Sequence, residues 1–453
     1  MLSCSGSATE GAGTTEGTGA TESAAVETYV YAPEVAPSRK YFVTVDGARQ
    51  TVYSTEEAHI CTFGCDGEVT VSVTAMKAIE SVALRPLGKA YTYELKDAQT
   101  IEFKARPYDR IIAEFNGSED GQLFIFVNPL SEKPDKDAAD VVYYESGKIY
   151  TESHRRVQNG QKVYIEGGAV VKTKFYFENA SDAGISGYGI LDTWGNSVEV
   201  SSIRIEKSKE IEVSGITVLG DGGRVIFNEE SSDVVIDNVK AIGRVGGDQC
   251  DAIDIYGCHD YTVRRCFAYG NDDTYCIKSW KWNFKGEVYN ISFEDCIARN
   301  FRGNSFEIGY ETGLDIHDVS YRDIYSIHSS GGSTSPLRRG AVTIHNGAAG
   351  HIHDISYENV HIEDPLEFGI DMRILKSAFQ LGNGEDWAPG VIDGIRMKDV
   401  RIYKKAPQGN TLAGYDGTHT ISVEFENLRI EGKKITSSAD GGFAVSFADA
   451  SFK

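Results

Sequence analysis

One eight-residue phrase recurs eight times between residues 211 and 430, and few folds can accommodate it. It reads apolar, any, apolar, any, small or polar, apolar, any, apolar. The copies begin at Ile211, Val234, Tyr261, Ile291, Val319, Ile355, Ile395 and Val423; two of them are Ile291-Ser-Phe-Glu-Asp-Cys-Ile-Ala and Ile355-Ser-Tyr-Glu-Asn-Val-His-Ile. Alternation with period two is strand patterning, and self-similarity at roughly 20–30 residues marks a stacked repeat. The small or polar residue in the middle marks a bend between two strands. Unequal spacers read as loops inserted on chosen turns, and helical periodicity is scarce throughout. The pattern predicts an all-β chain whose larger part, residues 141–453, is a right-handed parallel β-helix, a solenoid with its first turn near Tyr143.

Upstream the patterning changes. Tyr41-Phe-Val-Thr-Val, Val69-Thr-Val-Ser-Val, Thr100-Ile-Glu-Phe-Lys, Ile111-Ile-Ala-Glu-Phe and Leu123-Phe-Ile-Phe-Val are short alternating runs. Turn pairs such as Asp46-Gly47, Asp66-Gly67 and Asn116-Gly117 fall between several of them. This predicts an N-terminal antiparallel β-sandwich over residues 27–140. Nothing in it reads as catalytic, and its expected role is to cap the end of the repeat or hold it off a cell surface. Residues 1–26 contain a Gly/Ser/Thr/Ala/Glu tract with too few apolar groups to offset its ordering entropy, so a disordered tether is expected there. Leu2-Ser3-Cys4-Ser5 resembles the trimmed end of a bacterial lipoprotein signal, which carries the expectation of export and a lipid anchor at Cys4.

Net charge −22 and a pI near 4.9 argue against nucleic acid or an anionic membrane as partner. No apolar run is long enough to span a bilayer as a helix. Cys61 and Cys65 are close enough in sequence to share a hairpin and to pair if their Cα separation allows. Cys266 and Cys296 hold the same position in neighbouring repeats and should stack inside the coil as free thiols. The cysteine spacings match no zinc pattern, and no metal or other cofactor is expected.

The chemistry concentrates in residues 249–278. Gln249-Cys-Asp-Ala-Ile-Asp-Ile-Tyr is followed, after a short connection, by Tyr269-Gly-Asn-Asp-Asp-Thr-Tyr-Cys-Ile-Lys. Asp251, Asp254, Asp272 and Asp273 fall at matching places in two successive apolar runs. About one coil separates Asp251 from Asp272, which would put them one above the other at about 4.8 Å along the stack. Crowded carboxylates repel, so one is pushed to hold a proton near neutral pH while its neighbours stay ionised. A glycosidase needs that pairing of acid and base. An acidic surface turn or a calcium site is the alternative reading of the same spacing. Aromatic residues stand close by, and aromatic faces stack on pyranose rings. Trp280 and Trp282, on the polar insertion Ser279-Trp-Lys-Trp-Asn, and Tyr310 are candidate sugar contacts; Tyr256 and Tyr275 read equally well as core. Asp254, Lys278, Glu307, His345 and Arg373 complete the candidate substrate-binding set, with salt bridges as the alternative for Lys278 and Glu307.

With these residues in place, Gln249-Cys-Asp-Ala-Ile-Asp-Ile-Tyr and Asn271-Asp-Asp-Thr, followed by Ile277-Lys278, resemble the core motif of glycoside hydrolase family 49, the dextranases and isopullulanases. Val163-Tyr-Ile-Glu-Gly-Gly-Ala-Val-Val and Gly187-Tyr-Gly-Ile-Leu look like that family's first β-helix coils. The acid spacing is also similar to the polygalacturonases of family 28, in the same clan. The likeness covers residues from about 40 to 430. It implies a β-sandwich joined to a β-helix, a general acid at Asp272, water-activating carboxylates at Asp251 and Asp273, and inversion at the anomeric centre. A spacing of about 5 Å between Asp251 and Asp272 would instead suit a retaining enzyme. Two departures matter. The Gly-His-Gly of polygalacturonases is matched here by Phe301-Arg-Gly-Asn-Ser-Phe-Glu-Ile-Gly, and their Arg-Ile-Lys by Val342-Thr343-Ile344-His345.

Those departures remove the cations that a galacturonate chain would meet. The expectation is therefore an exported, monomeric, bacterial glycoside hydrolase, extracellular or anchored at the cell surface, cleaving a neutral polysaccharide, an α-glucan. A polygalacturonase-like hydrolase of pectic chains, with Arg373 and Lys376 as substitute cations, and a non-catalytic glycan-binding β-helix are the competing readings.

Overall fold

A computed structural model describes residues 24–55, 58–118, 121–195, 201–246, 249–281, 284–329, 339–376 and 387–453. The Cys4 segment and Trp282 lie outside the described residues. The repeat stacks residue on residue: Ile211 pairs with Val234, Val234 with Tyr261, Tyr261 with Ile291, Ile291 with Val319 and Val319 with Ile355. The copies at Ile211, Val234, Tyr261 and Val423 each supply two strands of a 20-stranded, mainly parallel sheet, those at Ile291, Val319, Ile355 and Ile395 one long strand each, and the chain then returns through a strand of an 11-stranded sheet. This is the parallel β-helix that the patterning predicts. Its interior is a column of aliphatic side chains threaded by stacked rings, with Phe293, Tyr321 and Tyr357 following one another at 4.7 and 4.6 Å.

The bend at the fifth residue has a backbone cause. Gly215, Asn238, Arg265, Asp295, Asp323, Asn359, Asp399 and Asn427 all have φ between 50° and 77°. Left-handed backbone is costly for most side chains and least so for Gly, Asn and Asp, which fill seven of these eight places. Carboxamide and carboxylate then bond from coil to coil, as Asn359 Nδ2 does to Asp323 Oδ1 at 2.6 Å.

The N-terminal strands form the expected sandwich, a six-stranded and a five-stranded sheet, largely antiparallel. Val43, Val71, Ile101, Ile111, Phe63 and Ile125 fill the space between them. The sandwich does not cap the end of the solenoid. The outer face of the six-stranded sheet, with Ile60, Ile112, Phe124 and Phe126, packs along the flank against Leu219, Ile242, Phe267 and Ile297 of four successive coils. Strands such as Phe267–Gly270 are consequently buried on both faces. Arg110, 1 % exposed, crosses the seam to Asp295 at 2.6 Å, and Lys240 Nζ reaches Asn128 Oδ1 at 2.7 Å. A flank rich in outward apolar residues must be covered along its length, which an end cap could not do.

Cys61 and Cys65 do not share a hairpin. They lie on one strand, His59–Cys65, about 13 Å apart at strand rise, beyond disulfide reach, and both are free and buried. Cys266 and Cys296 are free and buried as expected.

The 11-stranded sheet carries the acids. Its central strands are β1 (Gly223–Glu229), β2 (Gln249–Tyr256), β3 (Tyr275–Lys278), β4 (Phe306–Tyr310), β5 (Gly340–Asn346) and β6 (Phe368–Ile374), parallel and in that order.

Candidate active site

Register places one row of side chains along the outer face of this sheet: Asp254, Cys276, Glu307, Thr343 and Asp371. A second row, one step towards the strands' C-terminal ends, holds Tyr256, Lys278, His345 and Arg373, with Gly309 between Lys278 and His345. The inward alternates, Ile253, Ile255, Ile277, Phe306, Ile308, Val342 and Ile344, belong to the core. Period-two patterning thus fixes both what fills the coil and what faces the chemistry.

The catalytic candidates sit at the entry ends of β2 and β3. Ile253 pairs with Tyr275, and the Ala252 N–H donates to the Asp273 carbonyl at 2.9 Å. Asp251 therefore stacks on Asp273, not on Asp272 as the sequence spacing suggests. The connection between the coils is one residue longer than that spacing assumes, and Asp272 steps off the ladder. It is half-buried, whereas Asp251 and Asp273 are buried.

Small residues make the step. A Cβ on Gly303 would lie 2.2 Å from the Asp272 carbonyl carbon, and one on Gly270 would lie 2.6 Å from the Asp273 carbonyl oxygen. Their bare backbones let the turn after Asn300 close over the Asp272–Asp273 peptide. Asn300 Nδ2 locks it, donating to the Asp272 carbonyl at 2.5 Å. The turn delivers Asn304, whose backbone N–H and side-chain Nδ2 both donate to Asp273 Oδ1 at 3.0 Å.

The acids are held in different states. Burial pushes Asp273 up, but Lys278, Asn304 and Glu307 outweigh it and hold the carboxyl below its usual range. Burial and the charges of Asp273 and Asp251 lift Asp272 to about 7. Asp251 is pushed well up by burial and then by Asp254. Asp254 is fully buried and paired with Arg224 Nε at 2.8 Å, which also lies 3.9 Å from Asp251.

The other sequence candidates are in place, but most are not open to solvent. Asp254, Glu307 and His345 are 0 % exposed, Tyr310 and Lys278 nearly so. Lys278 lies 3.0 Å from Glu311 and 3.9 Å from Asp273. His345 is bonded to Glu307 at 3.1 Å and to Asp371 at 3.1 Å, with the Tyr310 ring stacked on it at 4.5 Å. Arg373 is turned aside by Asp371, both of whose carboxylate oxygens accept from its Nε at 2.8 and 2.9 Å, and its second nitrogen reaches Thr411. Direct sugar contact is thus replaced, for Glu307 and His345, by bonds to each other and to the acids' supports. Trp280 stands beyond the far end of β3, in a hairpin with Phe284–Lys285, half-buried with Lys285 Nζ 4.0 Å over its ring. Tyr256 and Tyr275 are buried.

Arg224, Asn304, Glu311 and Asp371 were missed in the sequence. Asn304 had a signal, as the residue after Gly303 in the stretch that matches Gly-His-Gly; the others needed the coil-to-coil register. Ligand atoms of Asp273, Cys276 and Glu307 lie within 4.8 Å of one another and are the candidate cation ligands among the described residues. Lys278, His345 and Asn304 already offset or bond their carboxylates, so this donor set does not fit a metal ion.

Comparison with known proteins bears out the likeness read from the acids. In structure the chain resembles Dex49A from Penicillium minioluteum, with TM-score 0.61 and 15 % identity over 94 % of this chain and 96 % of that one. It also resembles a polygalacturonase from Erwinia carotovora ssp. carotovora, with TM-score 0.53 and 17 % identity over 68 % and 89 % of the two chains. At those identities the likeness shows the fold alone. No curated protein matches the chain in sequence. The family model for glycosyl hydrolases family 28 matches residues 176–442, from the coils before the acids to beyond β6. That span is more than half of the chain, and so the protein belongs to glycosyl hydrolases family 28 and is a β-helix glycoside hydrolase.

Proposed function

We propose that the protein hydrolyses a neutral polysaccharide, an α-glucan, with inversion, using Asp272 as general acid and Asp273 as general base. The observation that carries the reading is the unlike surroundings of two adjacent carboxyls: Asn304 donates twice to Asp273 and Lys278 lies 3.9 Å from it, while Asp272 is half-buried beside the charges of Asp273 and Asp251. Asp272, the half-buried one, gives its proton to the glycosidic oxygen as the bond to the anomeric carbon breaks. Asp273, ionised, takes a proton from the water that attacks the opposite face of that carbon. Asp251, stacked beside Asp273, helps to orient the water. The cycle closes when the proton on Asp273 is lost to solvent and Asp272 regains one. Such acid and base pairing is worth about 10²–10⁴ in rate for each group.

Substrate charge follows from the ion pairs along the outer face of the sheet. Arg224 is paired with Asp254, Lys278 with Glu311, His345 with Glu307 and Asp371, and Arg373 with Asp371. None of these cations is left to receive a uronate. A uronate about 4 Å from an ionised aspartate costs about 4 kcal/mol at an effective dielectric of 20. A polymer of this kind does not cross a membrane, so the reading places the enzyme outside the cytoplasm.

Arg339 favours a second reading. Its charge acts on Asp272, and the chain shares its family with polygalacturonases, so a pectic substrate would find one cation beside the acid. Product analysis on dextran, other α-glucans and polygalacturonate separates the two, and NMR of the first-formed anomer tests inversion. Release of oligosaccharides from an α-glucan with inverted configuration is expected. Rapid release of galacturonate oligomers, with the α-glucans untouched, would overturn the neutral reading.

A further inference from the structure

Behind Asp273 a line of buried polar side chains crosses three coils. Asn304 Nδ2 donates to Asp273 Oδ1 at 3.0 Å and to Glu307 Oε2 at 2.8 Å. The orientation of this amide is not free. Its Oδ1 accepts the Gly340 N–H at 2.9 Å, so the NH₂ must face the two carboxyls. Glu307 Oε1 then meets His345 Nδ1 at 3.1 Å, His345 Nε2 meets Asp371 Oδ2 at 3.1 Å, and Asp371 is gripped by Arg373. Glu307, His345 and Asp371 are all 0 % exposed. Burying these groups is costly unless each is paired and bonded, and here each is.

We propose that Glu307, His345 and Asp371 are positioning residues, a hydrogen-bonded chain that fixes Asn304 and keeps Asp273 ionised to take the water's proton. The proposal rests on the base role given to Asp273 above. With the Glu307 proton turned to Asp273, Glu307 and Asp371 each offer the ring an acceptor oxygen, and an imidazole satisfies both only when both ring nitrogens carry hydrogen. His345 is then a cation two side chains away from the base, and it fixes one oxygen of Glu307 while Asn304 fixes the other. Burial pushes His345 down, but its bonds to Asp371 and Glu307 outweigh it and lift the ring to about 9. Burial, with Asp273 next, lifts Glu307 to about 8, where its remaining proton serves Asp273 as a donor. Among the described residues, the other charged or titratable groups facing the chain include Lys278 on β3, Arg373 on β6, the Tyr321 hydroxyl and the Cys276 thiol, 3.9 Å from Glu307. Tyr310 covers the imidazole. Neither Lys278 nor Arg373 can replace His345, because each is already held by its own carboxylate.

The test is the pH profile of kcat/KM for His345→Gln beside wild type and Asp273→Asn. Loss of the cation makes Asp273 harder to ionise, so the acidic limb should move to higher pH by about one unit. The plateau of kcat should fall about 10- to 100-fold with KM little changed. A side chain that only fills space would lower the melting temperature without moving the limb. In wild type, NMR of the His345 imidazole should show both nitrogens protonated at pH 7, a measurement that does not depend on the variant folding. A neutral ring at pH 7, or a folded variant with an unmoved acidic limb, would overturn the proposal. If Asp273→Asn keeps wild-type turnover, the base assignment itself is what fails.

Discussion

Replacing Asp272 by asparagine tests the acid assignment most directly. The carboxyl is half-buried, and among the described residues nothing donates to it, so an amide of the same shape should fit without unfolding the coil. Stability should stay within about 0.5 kcal/mol of wild type. The kinetic effect is larger. With Asp272 near 7, the acid form makes up about nine-tenths of the population at pH 6 and about one-tenth at pH 8. Wild-type kcat/KM on a polysaccharide should therefore fall about tenfold per pH unit above 7. Asp272→Asn should lower the plateau by about 10²–10⁴, or about 3–5 kcal/mol of transition-state stabilisation, and should abolish this basic limb. Asp272 also repels Asp273, so the acidic limb should move to lower pH in the variant. An aryl glycoside whose leaving group departs unprotonated should lose no more than about tenfold. Initial rates on both substrates between pH 4 and pH 9, with melting temperatures alongside, make the comparison. A variant that keeps a basic limb near pH 7, or that turns over the polysaccharide at the wild-type rate, refutes the argument.

Two predictions concern the scaffold. Asp323→Val puts a β-branched residue at φ 54° and removes the acceptor of Asn359, so it should cost about 1–3 kcal/mol by thermal melting, whereas Asp323→Gly should cost less. Phe267→Ala removes a ring packed 5.1 Å from Phe124 and 5.2 Å from Phe126 across the seam between sandwich and solenoid. It should cost about 3–5 kcal/mol and raise protease sensitivity of the sandwich; an unchanged melting curve would mean that the seam contributes little.

The sequence alone determined the solenoid, because a period-two phrase repeated eight times can bury its apolar face only by stacking on itself. It determined where the chemistry lies, since Asp251, Asp254, Asp272 and Asp273 cluster in two short runs between copies of that phrase. It also picked out Glu307, His345, Lys278 and Arg373, because outward positions of strands can be counted. What those side chains do was decided by tertiary structure. One extra residue between coils moves Asp272 off the ladder and puts Asp273 over Asp251, and no spacing argument is that exact. Charge partners such as Arg224 to Asp254 and Asp371 to His345 lie about 30 residues apart and meet only through the register of neighbouring coils. The flanking position of the sandwich was likewise hidden, because Ile242 or Phe267 reads as one more strand residue until Phe124 and Phe126 are seen covering it. Period and composition are local and survive in the sequence; the protonation states of the acids depend on burial and on charges from distant coils, and exist only once the coils are stacked.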